Sequence, residues 1–190
     1  INQPEFPSTV LNPGEKYQKS RHNVGFLVVE RLRERFLFQK NFTVTDWEEE
    51  STFMSELAFL KQGSKVLVIF QKPLTFMNNS GQAVSKVVKK YGIENLEKNF
   101  ILLHDDLDIS LGKYKIQKTK SPKGHNGVKD VEDMLKTNKF QRVRIGIESR
   151  LDKNIPGDEY VLKKFSKDEQ IILGEVIEDV VNTILAEILL

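Results

Sequence analysis

The chain has 190 residues, of which 39% are hydrophobic and 29% charged, and its formal net charge is +2. This length favours one domain over residues 1–190, and the composition is that of an ordinary globular protein. Cysteine is absent, which excludes disulfides, thiolate metal sites and a cysteine nucleophile. The sequence contains no run of about 18 apolar residues, so no membrane span is predicted. Residues 1–10 lack the basic and apolar blocks of a signal peptide, so we expect a cytoplasmic protein, with an organelle as the alternative.

Short apolar runs alternate with segments of helical periodicity along the chain. The run "STVL" (8–11) stops at the turn signal "NPG", and a helical pattern begins at Val24. Further strands are predicted in a hairpin over 55–73 that turns at 62–64, and at 100–104, 113–118 and 142–147; further helices are predicted at 81–91, 127–136 and towards the C-terminus.

Three details of these elements follow from their patterns. The strand at 100–104 is expected to end at Asp105-Asp106, and Gly92 is expected to stop the helix before it. The last helix is expected to bury one stripe, formed by Ile172, Val176, Val180, Ile184 and Ile188. Because strands alternate with helices and one hairpin interrupts them, we predict an α/β fold with a twisted mixed β-sheet and helices on both faces.

Polar residues gather in five loop segments next to these elements. In open α/β sheets, ligands bind beyond the carboxyl ends of the strands. Asparagine amides can donate to a carbonyl or an oxyanion, and a histidine held by a carboxylate is a general base near neutral pH. This mixture suggests hydrolysis of an ester or amide by an activated water. The segments are "NPG", "SRHN", "KPLTFMNNSG", "HDDLD" and "GHNG".

Each of these residues also has a structural interpretation. Asn12 before Pro-Gly can be a turn residue without a catalytic role, and Ser20 or Asn23 can simply cap the helix that follows. The histidine between them, His22, can simply be a polar residue at a helix start. His104 ends an apolar strand, which favours a structural histidine over a ligand.

Two other kinds of site are disfavoured by spacing. The three histidines (His22, His104 and His125) could together bind zinc, but no pair has the helical i, i+4 spacing of many metal sites. A Ser-His-Asp hydrolase is disfavoured because the chain has no G-x-S-x-G elbow.

Lysines are concentrated in the segment "GKYKIQKTKSPKGHNG" (112–127), which contains no acidic residue. Such a run is typical of a solvated loop, but it could also neutralise a nucleic-acid backbone. Its lysines are Lys113, Lys115, Lys118, Lys120 and Lys123.

Six motifs, in this order over residues 12 to about 170, resemble those of the bacterial-type peptidyl-tRNA hydrolases. They are "NPGEKYQKSRHNVGF", "KPLTFMNNSG", "HDDLD", "GHNG", "FQRVRIGI" and "EYVLKKFSKDE". The resemblance implies a monomeric α/β hydrolase that cleaves the ester between a peptide and the 3′ ribose of tRNA, with no metal, organic cofactor or obligate protein partner.

Residue roles follow from the same resemblance. It implies that His22 activates the attacking water, that Asp105 orients this histidine, and that Asn12 discriminates N-blocked from free aminoacyl-tRNA. The implied substrate contacts are Tyr17, Phe76, Met77, Asn78 and Asn126; the candidate tRNA phosphate contacts are Lys113, Lys115 and Lys118, with Arg142 or Arg144.

The chain departs from the family pattern at two loops. The usual Gly-Leu-Gly before Asn12 is replaced by "TVL", and the usual glycine-rich stretch before "GHNG" is replaced by "KTKSPK". Because glycine permits close backbone approach, these changes question the loop geometry around Asn12 and Asn126. Two other functions stay open: a non-catalytic RNA-binding protein of the organellar intron-splicing type on the same fold, and an esterase for small acyl substrates.

Overall fold

One mixed β-sheet forms the centre of the structure, a computed structural model that describes residues 3–14, 16, 17, 19–119 and 124–188, with side chains of the last helix up to 186. Among these residues the strand order is β2-β4-β5-β1-β6-β8-β7, and β3 also pairs with β4. The strands are β1 (Phe6–Thr9), β2 (Thr43–Val44), β3 (Glu48–Glu50), β4 (Ser55–Gln62), β5 (Lys65–Pro73), β6 (Phe100–Ser110), β7 (Tyr114–Gln117) and β8 (Gln141–Glu148).

The sheet is parallel at its centre and antiparallel towards its edges. Strand β1 runs parallel to β5 and β6, and β6 runs parallel to β8. The β4–β5 hairpin and the β7–β8 pair are antiparallel. The mixed sheet predicted from the hairpin pattern is therefore confirmed.

Helices cover both faces of this sheet, as predicted. One apolar cluster joins α1 and α6 to alternate residues of β6, such as Ile101 and Leu103. A second joins α2 and α4 to the intervening residues, such as Phe100 and Leu102. This alternation follows from the two-residue period of a strand. The helices are α1 (Val24–Glu34), α2 (Ser80–Tyr91), α3 (Leu96–Asn99), α4 (Asn126–Leu135), α5 (Gly157–Val161) and α6 (Lys167–Ile188).

Helix boundaries agree with the sequence signals in most places. Helix α2 ends at Gly92, which adopts φ 61 in the left-handed region that glycine tolerates. Ile172 was wrongly assigned to the buried stripe of α6, because it is 42% exposed while its neighbour Leu173 is buried. The side chain of Ile188 lies outside the described residues. Within the described part of the chain, no helix is long and apolar enough to cross a membrane.

The prediction that a strand ends at Asp105-Asp106 is wrong. Strand β6 continues to Ser110, with Asp105 opposite Ile145 and Asp106 opposite Gly146 of β8. Both carboxylates are buried within the strand because each has cationic or ring N–H partners. Strand β6 therefore places two acids inside the sheet, at the edge where β1 and β5 have already ended.

Candidate active site

A cleft of about 520 Å³ opens at the carboxyl ends of the central strands. The loop after β1 contributes Asn12, a short 3₁₀ turn after β5 contributes Met77 and Asn78, and β6 itself contributes Asp105. Helical segments complete the lining with His22 and Asn126 among others. The cleft thus combines six of the residues given roles from the sequence: Asn12, His22, Met77, Asn78, Asp105 and Asn126.

His22 is held by the buried carboxylate of Asp105. It lies in a 3₁₀ turn (Arg21–Asn23) that leads directly into α1. Its Nδ1 is 2.7 Å from Oδ1 of Asp105, a residue whose side chain is 2% exposed. Since a carboxylate accepts, Nδ1 carries the proton and Nε2 keeps the free lone pair. Nε2 has no hydrogen-bond partner among the residues that the structure describes, so it is available to a water or substrate.

A second histidine binds the same carboxylate oxygen. Nε2 of His125 is 3.0 Å from Oδ1 of Asp105. Its other nitrogen, Nδ1, accepts the N–H of Val128 at 3.3 Å, which assigns the proton to Nε2. Burial alone would raise the pKa of Asp105, but the interactions with His22 and His125 outweigh it and hold this pKa below its ordinary value. The acid is therefore ionised between two imidazole N–H donors.

The same three side chains are close enough to be considered as metal ligands. One ligand atom from each of His22, Asp105 and His125 lies within 4.8 Å of the others. A metal on Nε2 of His125 would move its proton to Nδ1, where it would face the N–H of Val128. The hydrogen bonds present therefore suit a proton-transfer site better than a cation site.

His104 supports this group from inside the sheet. It is fully buried, its Nδ1 donates to the backbone oxygen of Asp105 at 2.7 Å, and its ring meets that of His125 edge-on at 5.0 Å. Burial, and then the neighbouring His125, lower the pKa of His104 to about 3. A neutral, buried ring agrees with the structural role expected for this residue.

Asn12 reaches the cleft despite the residues that replace the usual glycines. Its backbone N–H donates to Oδ1 of Asn23 at 2.8 Å, and its backbone oxygen accepts from Nδ2 of Asn23 at 2.9 Å. Its side-chain Oδ1 accepts the N–H of Met77 at 3.0 Å. The amide nitrogen of Asn12 is therefore the group left to donate into the cleft.

Helix α4 approaches the Met77 turn closely because its second residue is glycine. A Cβ on Gly127 would lie 2.5 Å from the sulfur of Met77. This close approach brings Asn126, the first residue of α4, to the cleft wall. The second altered loop, residues 120–123, lies outside the described residues.

Arg142 was wrongly predicted as a tRNA contact. Its side chain is fully buried, and its guanidinium donates to Glu132 and to the backbone oxygen of Asn138. Residues 142–147 of β8 are all buried, so both faces of this strand are covered. Arg144 is also buried, with its Nε 2.6 Å from Asp106. Neither arginine presents its charge to solvent.

The remaining predicted contacts lie outside the cleft lining. Lys113, Lys115 and Lys118 are exposed along β7 and the turns that flank it, whereas Lys120 and Lys123 lie outside the described residues. Phe76 is 61% exposed just before the Met77 turn. The last of these, Tyr17, is partly buried, with Nζ of Lys16 5.4 Å from its ring centroid.

Two parts of the site were missed in the sequence. His125 was given no catalytic role of its own, although its place directly before Asn126 in "GHNG" was a usable signal. The wall built by α5 and the residue after it, which includes Asp158, Val161 and Leu162, had no chemical signal beyond the motif "EYVLKK". Its role depends on contacts with distant residues.

Comparison with known proteins covers all of these segments. A sequence profile of the family described as peptidyl-tRNA hydrolase matches residues 10–189. The chain is 38% identical over 177 residues to the peptidyl-tRNA hydrolase of Thermodesulfovibrio yellowstonii, covering 91% of this chain and 86% of that one. It is 38% identical over 167 residues to the peptidyl-tRNA hydrolase of Staphylococcus epidermidis, covering 88% and 82%.

Solved structures are similar over almost the whole chain. The crystal structure of peptidyl-tRNA hydrolase from Acinetobacter baumannii matches with a TM-score of 0.82 and 26% identity, covering 97% of this chain and 88% of that one. A crystal structure of a complex of peptidyl-tRNA hydrolase with N-propanol matches with a TM-score of 0.81 and 27% identity, covering 97% and 88%.

Proposed function

The chain belongs to the peptidyl-tRNA hydrolase family and is a hydrolase acting on ester bonds, and we propose that its cleft hydrolyses peptidyl-tRNA with His22 as the base. The observation that carries this proposal is the 2.7 Å hydrogen bond from Nδ1 of His22 to the buried carboxylate of Asp105. That bond fixes the tautomer whose Nε2 can take a proton from water.

The proposed reaction has two steps. Water attacks the ester carbonyl carbon while Nε2 of His22 takes its proton, which gives a tetrahedral oxyanion and an imidazolium. Collapse of this intermediate breaks the bond to the 3′ oxygen of the ribose, and the imidazolium returns the proton to that oxygen. The ionised Asp105 stabilises the imidazolium between the two steps.

Neutral amides are proposed to stabilise the oxyanion. Oδ1 of Asn12 accepts from Met77, and the amide nitrogen of the same side chain has no hydrogen-bond partner among the described residues. Asn78 and Asn126 line the same cleft. Preorganised donors of this kind typically contribute about 10²–10³ in rate each. Asn12 is further proposed to discriminate N-blocked from free aminoacyl groups.

The substrate's two halves are proposed to bind on different surfaces. The peptide lies along the cleft at Met77, with Phe76 and Tyr17 as further contacts. The tRNA backbone lies along the exposed lysines Lys113, Lys115 and Lys118, because phosphate affinity comes from accessible positive charge. The buried Arg142 is not part of this surface.

We further propose that the chain acts as a single-domain monomer in the compartment where peptidyl-tRNA is made, the cytoplasm or an organelle. A non-catalytic RNA-binding role is not favoured, since the base, its carboxylate and three amides share one cleft. An esterase for small acyl groups is opposed by the exposed lysines, and competition by free tRNA tests it: an unaffected rate would favour that esterase.

The direct test compares two substrates. The purified protein should release the acyl group from N-acetyl-aminoacyl-tRNA and should cleave free aminoacyl-tRNA much more slowly. Equal rates on both would contradict the proposed role of Asn12, and no release from either would contradict the proposed function.

A further inference from the structure

Arg21, the residue before His22, is buried against the C-terminal part of the chain. Its guanidinium lies over two aromatic rings, with its central carbon 4.3 Å from the ring centroid of Tyr160 and 4.7 Å from that of Phe165. Its Nη2 donates to the carboxylate of Glu169 at 2.8 and 3.0 Å. The side chain next to the proposed base is therefore fixed on three sides.

Glu169 is itself held in place at the start of α6. Its carboxylate accepts from the hydroxyl of Ser149 and from the backbone N–H of Ser166, the latter at 2.7 Å. Burial by itself would raise the pKa of Glu169, but the hydrogen bonds from Arg21, Ser149 and Ser166 lower it to about 2. The partner of Arg21 is thus a preorganised anion with little freedom to move.

The backbone of the same turn is fixed to the same region. The N–H of Arg21 donates to the oxygen of Lys163 at 3.0 Å. The preceding residue, Ser20, forms an antiparallel bridge with Lys164. The turn carrying His22 is consequently attached by main chain and side chain to the segment that joins α5 to α6.

That segment also builds one wall of the cleft. Gly157, Asp158 and Val161 of α5 line it, together with Leu162. Tyr160, which stacks on Arg21, belongs to the same helix, and its hydroxyl donates to the oxygen of Ile147 at 3.0 Å. Arg21 therefore connects the base-bearing turn with the wall of the cleft that α5 forms.

The contacts of Arg21 are not those of a simple stabilising ion pair. Its Nε and Nη1 are buried without a hydrogen-bond partner in the described part of the chain. Buried donors without acceptors lower stability, and a buried ion pair often stabilises no more than apolar residues would. The arrangement is better accounted for by the placement of its neighbour His22.

We propose that Arg21, through Glu169, is a positioning residue that holds His22 in line with Asp105 and fixes the α5 wall against it. The inference rests on the proposed function for its kinetic effect. Because Arg21 is proposed to orient the base, replacing it should lower kcat and leave the binding of tRNA nearly intact.

Kinetic measurements on four variants test this proposal. Arg21→Gln and Glu169→Gln should each lower kcat on N-acetyl-aminoacyl-tRNA by about 10- to 100-fold with KM within about threefold. Arg21→Lys should recover part of the loss, because an ammonium can still pair with Glu169. The matched control is Arg31→Gln, which removes an exposed Arg–Glu pair that also joins α1 to α6; its kcat should stay within about twofold of the wild type.

Folding is checked by urea unfolding midpoints at the assay temperature. A folded Arg21→Gln protein with wild-type kcat would overturn the proposal, and so would an equal loss of kcat in Arg31→Gln.

The ¹⁵N-NMR signals of the His22 ring give a readout that needs no substrate. The Nδ1–H bond to Asp105 should persist in wild type and Arg31→Gln and be lost or weakened in Arg21→Gln. Its full retention in Arg21→Gln would overturn the proposal even if the wild type failed to cleave peptidyl-tRNA.

Discussion

Asp105 and His22 lie 83 residues apart in the chain, yet Oδ1 of the acid is 2.7 Å from Nδ1 of the imidazole. The acid belongs to a central strand and the histidine to the turn before α1. Their contact depends on the parallel pairing of β1 with β6, which brings the end of β1 and the turn that follows it to the carboxylate. This pair, with His125 on the same oxygen, is the chemical centre of the cleft.

Replacing Asp105 by Asn should lower kcat by about 10²–10⁴, because an amide cannot stabilise the imidazolium as a carboxylate does. KM should change little, since Asp105 is buried beneath the cleft surface. Steady-state kinetics on N-acetyl-aminoacyl-tRNA measure both constants. A variant that retained wild-type kcat would show that the ionised acid is not needed.

Two substitutions at Asn12 separate its roles. Asn12→Asp keeps the oxygen that accepts from Met77 but replaces the amide donor by a negative charge, whereas Asn12→Ala removes both. We expect Asn12→Asp to keep the wild-type unfolding midpoint and to lose about 10²-fold in kcat/KM, as for loss of an oxyanion donor. Asn12→Ala should lose a similar rate and also some stability. Full activity in folded Asn12→Asp would exclude the donor role.

Removing the charges of Lys113 and Lys115 should raise KM for tRNA substrates and reduce the slope of log(kcat/KM) against log[salt] by about one to two, with kcat unchanged. The double variant Lys113→Gln/Lys115→Gln is compared with Lys89→Gln/Lys90→Gln, which removes two exposed lysines from α2. An identical salt slope in the two variants would contradict the phosphate-binding role.

The buried His104 should make the protein sensitive to mild acid. Its folded-state pKa is about 3, whereas an unfolded histidine titrates near ~6.5. Below pH ~6.5 the unfolded chain binds a proton that the folded chain cannot, so the free energy of unfolding falls as pH falls from there towards 3. The loss between pH 7 and 5 should be about 2 kcal/mol.

His104→Gln removes this titration and keeps a donor for the backbone oxygen of Asp105. Urea unfolding of both proteins at pH 7 and pH 5 measures the difference. We expect the variant to show a clearly smaller loss of stability between these pH values. The same loss in both proteins would assign the acid sensitivity to other groups.

The sequence predicted the layered α/β fold because apolar runs and helical periods report local burial directly. The end of β6 was missed because Asp105 and Asp106 are unfavourable in a strand interior unless paired. Their partners, His22, His125 and Arg144, come from distant parts of the chain. Local pattern contains no information on such pairs.

The wrong prediction for Arg142 has the same cause, because local sequence pattern does not show which distant residues cover a side chain. Alternation of arginine with apolar residues in "RVRIGI" indicates an exposed face, and a basic exposed face suggests phosphate binding. That face is buried instead, and Glu132 of α4 pairs with the guanidinium of Arg142. Asn12, His22 and Asn78 line one cleft, whereas Arg142 is buried away from it. The long motifs around the first three residues carry a family resemblance that a single arginine does not.

The assignment of His22 as the base is tested most directly by hydrolysis of N-acetyl-aminoacyl-tRNA by wild type and His22→Asn. The measurement uses single-turnover conditions with saturating protein. Asparagine fits the same turn and can still donate to Asp105, but it cannot accept a proton from water. We expect the rate constant to fall by about 10²–10⁴ with an unchanged unfolding midpoint and unchanged tRNA binding. A folded His22→Asn protein that cleaves the substrate at the wild-type rate would contradict the assignment of His22 as the base.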